Sequence, residues 1–326
     1  MKESPVLTLV EKQPTSEEAG VPASVTPSSS PTATSTPDVH MASDTLPVGK
    51  PHEKFSVFWF TVQVLAQVAG LIALLKFGLP GVWKQQLAAT PAAFAACFLG
   101  MHLFMCFFEW AFHRYVLHGL VSPILLTFVR AHRNHHGLTP IKLQAVSQGS
   151  GRFVLNRYPI MGADQYEDSA FPWYATMGFW AFFTPMLVGV QLLLPNMPVM
   201  LGGYAAITFS MALYEILHAI EHLPYEWWKG ATEHPVFGRM WTAIYGFHHF
   251  HHANVGANEA ISGFFGLPVA DWLFGTYHQP KELLLEGRVA TAKDFAVKAP
   301  PAWVRALDEW ARKRESEIVR QQKSRG

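Results

Sequence analysis

Four short clusters in this chain hold enough histidine to build a metal centre. HRYVLH carries His113 and His118, HRNHH carries His132, His135 and His136, HAIEH carries His218 and His222, and HHFHH carries His248, His249, His251 and His252. Of sixteen histidines in the chain, twelve lie between His113 and His252. His132, His135 and His136 stand at i, i+3 and i+4, so a helix presents all three on one face. His248, His251 and His252 repeat that pattern, and His218 and His222 are one turn apart. His249 falls about 100° round the helix from His248, off the shared face. His113 and His118 are five apart, about 140° on a wheel of 3.6 residues per turn, which points them in different directions and toward different metals. Neutral imidazole suits iron or zinc, and ten such ligands are too many for one ion but fit two. Lone histidines are expected to be incidental (His40, His52, His102) or surface and structural (His234, His278).

Ligands so far apart in sequence need elements that bring them together. No charge occurs from Phe55 to Leu75, from Gln85 to Phe108, or over the 46 residues from Ser169 to Tyr214, the last stretch broken by Pro195-Asn-Met-Pro198. Each stretch is long enough for one span of an apolar core about 30 Å thick, and the last for two with a tight turn. Core helices of soluble proteins rarely run so far without charge. The expected fold is therefore an all-α membrane protein with about four transmembrane helices and a cytosolic helical cap that carries the boxes. Four spans leave both termini on one side, together with the ends of the second and fourth spans. That side holds Arg114, Arg130, Arg133, Lys142, Arg152, Arg157, Lys229 and Arg239, against little more than Lys76 and Lys84 opposite, which makes it cytosolic by the positive-inside rule. The first and third boxes close the second and fourth spans and the other two follow them, so all four meet at one membrane-proximal site.

Three regions follow. Residues 1–50, rich in Ser, Thr and Pro, cannot bury enough surface to offset ordering entropy and are expected to be a disordered tail. Residues 51–280 hold the spans and all four boxes. Residues 281–326 form a C-terminal cytosolic tail, helical over 301–320, with Trp303, Leu307 and Trp310 near one face; such a helix lies on the membrane surface or is simply solvated.

Composition narrows the function. Only 15% of residues are charged and half are hydrophobic, where a soluble domain carries about 25% charged residues. A formal net charge of +1 provides no electrostatic basis for nucleic-acid binding. Cys97 and Cys106, both in an apolar run, suggest neither a disulfide framework nor a zinc knuckle.

The boxes resemble those of the fatty acid hydroxylase/sterol desaturase superfamily of integral membrane oxygenases. HRYVLH, HRNHH, HAIEH and HHFHH follow the family order HxxxxH, HxxHH, HxxxH, HxxHH, and NEAISGFFGLPVADWLFGTY resembles a family segment that ends in LFGTY. The resemblance covers roughly residues 55–280, and the six-residue first box is more like the fatty acid 2-hydroxylase branch. It implies ten metal ligands: His113, His118, His132, His135, His136, His218, His222, His248, His251 and His252. His249 takes a non-ligand position and, with Glu109 one turn before His113, becomes a candidate to brace the ligands from outside; a carboxylate accepting the second ring N–H would fix a ligand's orientation. Glu109 is equally well read as a charge at the membrane boundary, and Glu221, Asn254, Asn258 and Glu259 carry the same two readings.

The implied activity is O₂-dependent oxidation of an alkyl carbon of a lipid, hydroxylation first, with desaturation at the same site or a metal-binding or transport role as alternatives. Alkyl C–H cleavage needs an oxidant that side chains lack, and zinc has no redox change. Iron is therefore the expected working metal, although zinc can displace it at a nitrogen-rich site. The sequence shows no GxGxxG loop, haem-domain motif or iron–sulfur cysteine set, so electrons are expected from a separate partner, a b-type cytochrome or a ferredoxin with its reductase. The expected location is multi-pass, with the site on the cytosolic face of a bacterial inner membrane or the endoplasmic reticulum.

Overall fold

A computed structural model of the chain describes residues 56–145, 152–166 and 169–324; the expected tail over 1–50 lies outside them. The described chain is mostly helical, and four helices are long and apolar enough to cross a membrane. The first is α1 (Val57–Ala73), prolonged by a π-helical turn over Leu74–Gly78. A short helix, α2 (Pro80–Leu87), leads to α3 (Pro91–Phe112), whose N-terminus is set by Thr90 accepting from Ala93 N and by Pro91 in the first turn. After α4 (Leu126–Leu138), the last two long helices are α5 (Ala175–Leu193) and α6 (Val199–Glu221), joined through the Pro195–Pro198 turn.

α6 is the central helix and packs against both α3 and α5. Gly202 and Gly203 permit this: a Cβ on Gly202 would overlap Cys97 of α3, and one on Gly203 would overlap Leu187 of α5. Small residues at such crossings let backbones approach where lipid provides little hydrophobic drive for association. α1 lies at the edge with none of its length buried. Phe58, Trp59, Leu65, Phe77, Phe182 and Leu192 leave an apolar outer surface on the bundle.

Beyond the long helices lie α7 (Tyr225–Thr232), α8 (Gly238–Ala253), α9 (Val269–Phe274) and α10 (Ala302–Lys323). The all-α expectation needs one amendment. Between the second and third boxes, β1 (Ile141–Ala145) pairs antiparallel with β2 (Arg152–Asn156), and residues 287–290 add backbone bonds to β2. Val154, at the middle of this ladder, is fully buried. The 281–324 stretch is built into the same unit as the spans. α10 buries Val304, Ala311 and Ile318, a stripe at seven-residue spacing, while Trp303, Leu307 and Trp310 stay about half exposed.

A candidate metal centre

The four boxes converge. His113, His118, His132, His136 and His251 form one group, and His135, His218, His222 and His248 a second; within each group the ring nitrogens lie within 4.8 Å of one another. α4 and α8 each contribute to both groups, because i and i+4 of HRNHH face one way and i+3 the other. The end of α3 contributes only to the first group and the end of α6 only to the second. His252 stands at the junction: its Nε2 is 3.1 Å from His248 Nε2 and its ring stacks on His136 at 4.0 Å. All ten histidines of the boxes' shared pattern are thus brought together.

One expectation fails. His113 and His118 do not diverge; their rings stack 5.0 Å apart in the same group. The reason is local. Over His113–Leu117 the helix widens to a π turn, closed by His118 N donating to His113 O at 3.0 Å. A turn closed from i to i+5 brings residues five apart nearly above one another, so the wheel of 3.6 does not apply. π-bulges of this kind frequently mark functional sites.

Ring orientation is fixed by backbone carbonyls. His113 Nδ1 donates to Glu259 O, His222 Nδ1 to Tyr158 O at 2.7 Å, His251 Nδ1 to Ala257 O at 2.7 Å and His252 Nδ1 to Thr139 O at 2.9 Å. A carbonyl only accepts, so these four rings carry their proton on Nδ1 and present a lone pair at Nε2. Those lone pairs face other imidazoles: His113 to His132 at 2.9 Å, His251 to His118 at 2.9 Å, and His222 to His135 and His248 at 3.1 and 3.2 Å. Two nitrogens each about 2.1 Å from one ion, at a right or tetrahedral angle, stand about 3.0–3.4 Å apart. His218 Nε2 is buried with no hydrogen-bond partner. The donor set therefore fits metal ions, one per group, with His252 able to serve the second. The carbonyls of Tyr158, Thr139, Ala257 and Glu259 had no signal in the sequence, because any residue type presents the same group.

Burial keeps these imidazoles neutral. It holds His118, His132, His135, His136, His248, His251 and His252 well below the ordinary imidazole range, with mutual repulsion adding to it in all of them, and brings His222 down to about 4. Neutral imidazole is the ligating form. It also sets a pH dependence. Between pH 6.5 and about 4 the unfolded chain takes up a proton at His222 that the folded chain refuses, so stability is full above this window and is lost as pH falls through it. Thermal unfolding in detergent should show the midpoint dropping across that range with metal released alongside; a midpoint flat down to pH 4 would contradict the buried neutral cluster.

The outer candidates separate. His249 enters neither group: its Nε2 lies 3.2 Å from Asn156 Nδ2, and its ring packs on Tyr158, whose carbonyl orients His222. Glu109 does not take a ligand's ring N–H. Its carboxylate accepts from Ser262 N and Oγ and from Gly263 N, and the carbonyl of Glu259 fills the expected role at His113. Glu259 also meets Arg114 through its side chain at 2.7 Å, and Arg114 grips Asp308 of α10 bidentately at 2.8 Å. Asn254 and Asn258 brace the following loop through Phe295 O, and through Phe247 O and His278 O. Glu221 lines an apolar cavity of about 400 Å³ between α6, α8 and residues 260–277. His102 bonds Ser210 and the backbone of Phe265, His234 accepts from the turn at Val236 and Phe237, and His278 stacks on Phe250.

A narrow apolar cleft reaches the first group. Met105, Phe108, Phe112, Phe179, Met211 and Tyr214 line it, with His113 at the wall. Its free volume of about 30 Å³ leaves room for little more than water. Comparison with family models, with curated proteins and with solved structures finds no match to this chain.

Proposed function

We propose that the chain is an integral membrane oxygenase of the fatty acid hydroxylase/sterol desaturase type, hydroxylating an alkyl carbon of a lipid. The observation that carries this reading is the pairing of two converging groups of buried, neutral imidazoles with an apolar cleft that ends at one of them. Iron held by the ten histidines would supply the O₂ activation and C–H oxidation that side chains cannot. The chain's own part is to hold and position. The carbonyls of Glu259, Tyr158, Ala257 and Thr139 keep lone pairs aimed inward, and Phe108, Phe112 and Phe179 exclude water from the alkyl segment. The reducing electrons come from a separate b-type cytochrome or ferredoxin system, docking on the cytosolic face where the boxes lie.

Lipid profiling of a deletion strain against wild type tests the activity. The expected difference is a lipid lacking one oxygen atom in the deletion strain. A lipid richer by two hydrogens instead would assign desaturation, and an unchanged profile with altered metal content would support a metal-handling role.

Topology is tested separately. With Cys97 and Cys106 removed, single cysteines at exposed Asn196 and Ser324 should be labelled from opposite sides of the membrane. Labelling from the same side would refute four spans.

A further inference from the structure

Residues 258–277 leave the last box and run along α3, and their contacts give their depth. At the start, Glu259 O meets His113. Further on, Ser262 N donates to Glu109 at 2.8 Å. At the tip, Phe265 N donates to His102 Nε2 at 3.0 Å, and the Phe265 ring lies 4.5 Å from His102, 5.4 Å from Phe209 and 6.5 Å from Phe98. The chain then returns as α9, where Phe274 packs on Phe107 and Trp110 at 5.5 and 4.6 Å. The contacts thus step down α3 from residue 113 to 102 and back to 110. At about 1.5 Å per residue, His102 lies about 22 Å from Leu117 and about 16 Å from Pro91, near the middle of an apolar core about 30 Å thick. Phe209 is likewise mid-helix in α6.

Backbone that is not helical survives at such depth only if its polar groups are satisfied within the protein. Here the amide hydrogens are. Gly263 N donates to Glu109, Phe264 N to Leu267 O, Gly266 N to Ser262 O and Leu267 N to Phe264 O. With Ser262 and Phe265 served by Glu109 and His102, and Pro268 having no N–H, the turn from Ser262 to Pro268 leaves no amide hydrogen unpaired. Gly263, at φ +49, permits the reversal, since a Cβ there would collide with the Leu267 carbonyl. Phe265 is 47% and Leu267 50% exposed, both on the wall of the open apolar cavity between α6, α8 and this segment.

We propose that residues 258–277 form a re-entrant hairpin that dips to mid-bilayer depth beside α3, with Phe265 and Leu267 in contact with lipid acyl chains and with Glu109 and His102 pairing the amide hydrogens of Ser262, Gly263 and Phe265. Glu109 and His102 are positioning residues for this hairpin. The proposal is independent of the reaction assigned above but rests on the four helices spanning the bilayer.

The test uses full-length protein in vesicles of phosphatidylcholine, with Cys97 and Cys106 removed and single cysteines at Leu267, Phe182 and Ser324. Cysteine at Leu267 should react with a membrane-impermeant maleimide at least about tenfold more slowly than at Ser324, as does Phe182 on the lipid face of α5. A fluorophore at Leu267 should be quenched most by lipids brominated near the chain centre. Phe182→Cys protected with Leu267→Cys reacting as fast as Ser324→Cys would overturn the hairpin alone. Reaction at both would overturn the spans. Glu109→Leu provides a second arm: at retained helicity, it should raise labelling at Leu267 several-fold, and unchanged labelling would remove Glu109 from the anchor.

Discussion

His251→Ala should strip metal and product formation together, whereas His249→Ala should keep its metals and slow turnover about 10–100-fold. The two residues are two apart on α8, but their surroundings differ. His251 Nε2 faces His118 at 2.9 Å inside the first group while its Nδ1 is tied to Ala257 O. His249 faces outward to Asn156 and Tyr158. Loss of His249 loosens the wall behind His222 and leaves every converging lone pair in place. Metals per chain and O₂-dependent product, measured on the matched pair, decide it. Equal metal loss in both variants would make His249 a direct ligand and would require the assignment along α8 to be redrawn.

Arg114→Met should destabilise the fold by about 3–5 kcal/mol, because removing one partner of a buried ion pair leaves the other uncompensated. Glu259 is fully buried and loses its 2.7 Å partner, and Asp308 loses a bidentate one. The damage should reach the metal site, since the same Glu259 accepts from His113 through its carbonyl. Adding Glu259→Gln removes the orphaned charge and should recover part of the stability, a coupling that a double-mutant cycle reads directly. Arg114→Met melting like the wild type would show that the pair does not tie α10 and the 254–262 loop to the site.

The parts of this architecture that follow from periodicity and charge were legible. Charge-free stretches located the four long helices, and the Pro195–Pro198 turn divided the last two. Histidines at i, i+3 and i+4 announced the ligand faces of α4 and α8. What escaped depends on local departures from ideal geometry or on backbone atoms. The π turn at His113–Leu117 turned an apparent divergence into a stack, and no residue type in HRYVL signals a widened turn. The ladder of β1 and β2 was missed because IKLQA and RFVLN are short and are stabilised by residues 287–290, far along the chain. In sequence Glu109 stands one turn from His113, yet its partners are Ser262 and Gly263, which only the tertiary fold brings near. α10 carries two apolar stripes, and the more conspicuous one, with its tryptophans, is the one that remains half exposed.

The central claim is that ten histidines on the ends of α3 and α6 and on α4 and α8 build a two-ion centre. Elemental analysis of freshly purified protein, never exposed to chelator, tests it most directly. Two metal ions per chain, with iron the metal that supports turnover, is the predicted result. One ion or none in folded protein would contradict it.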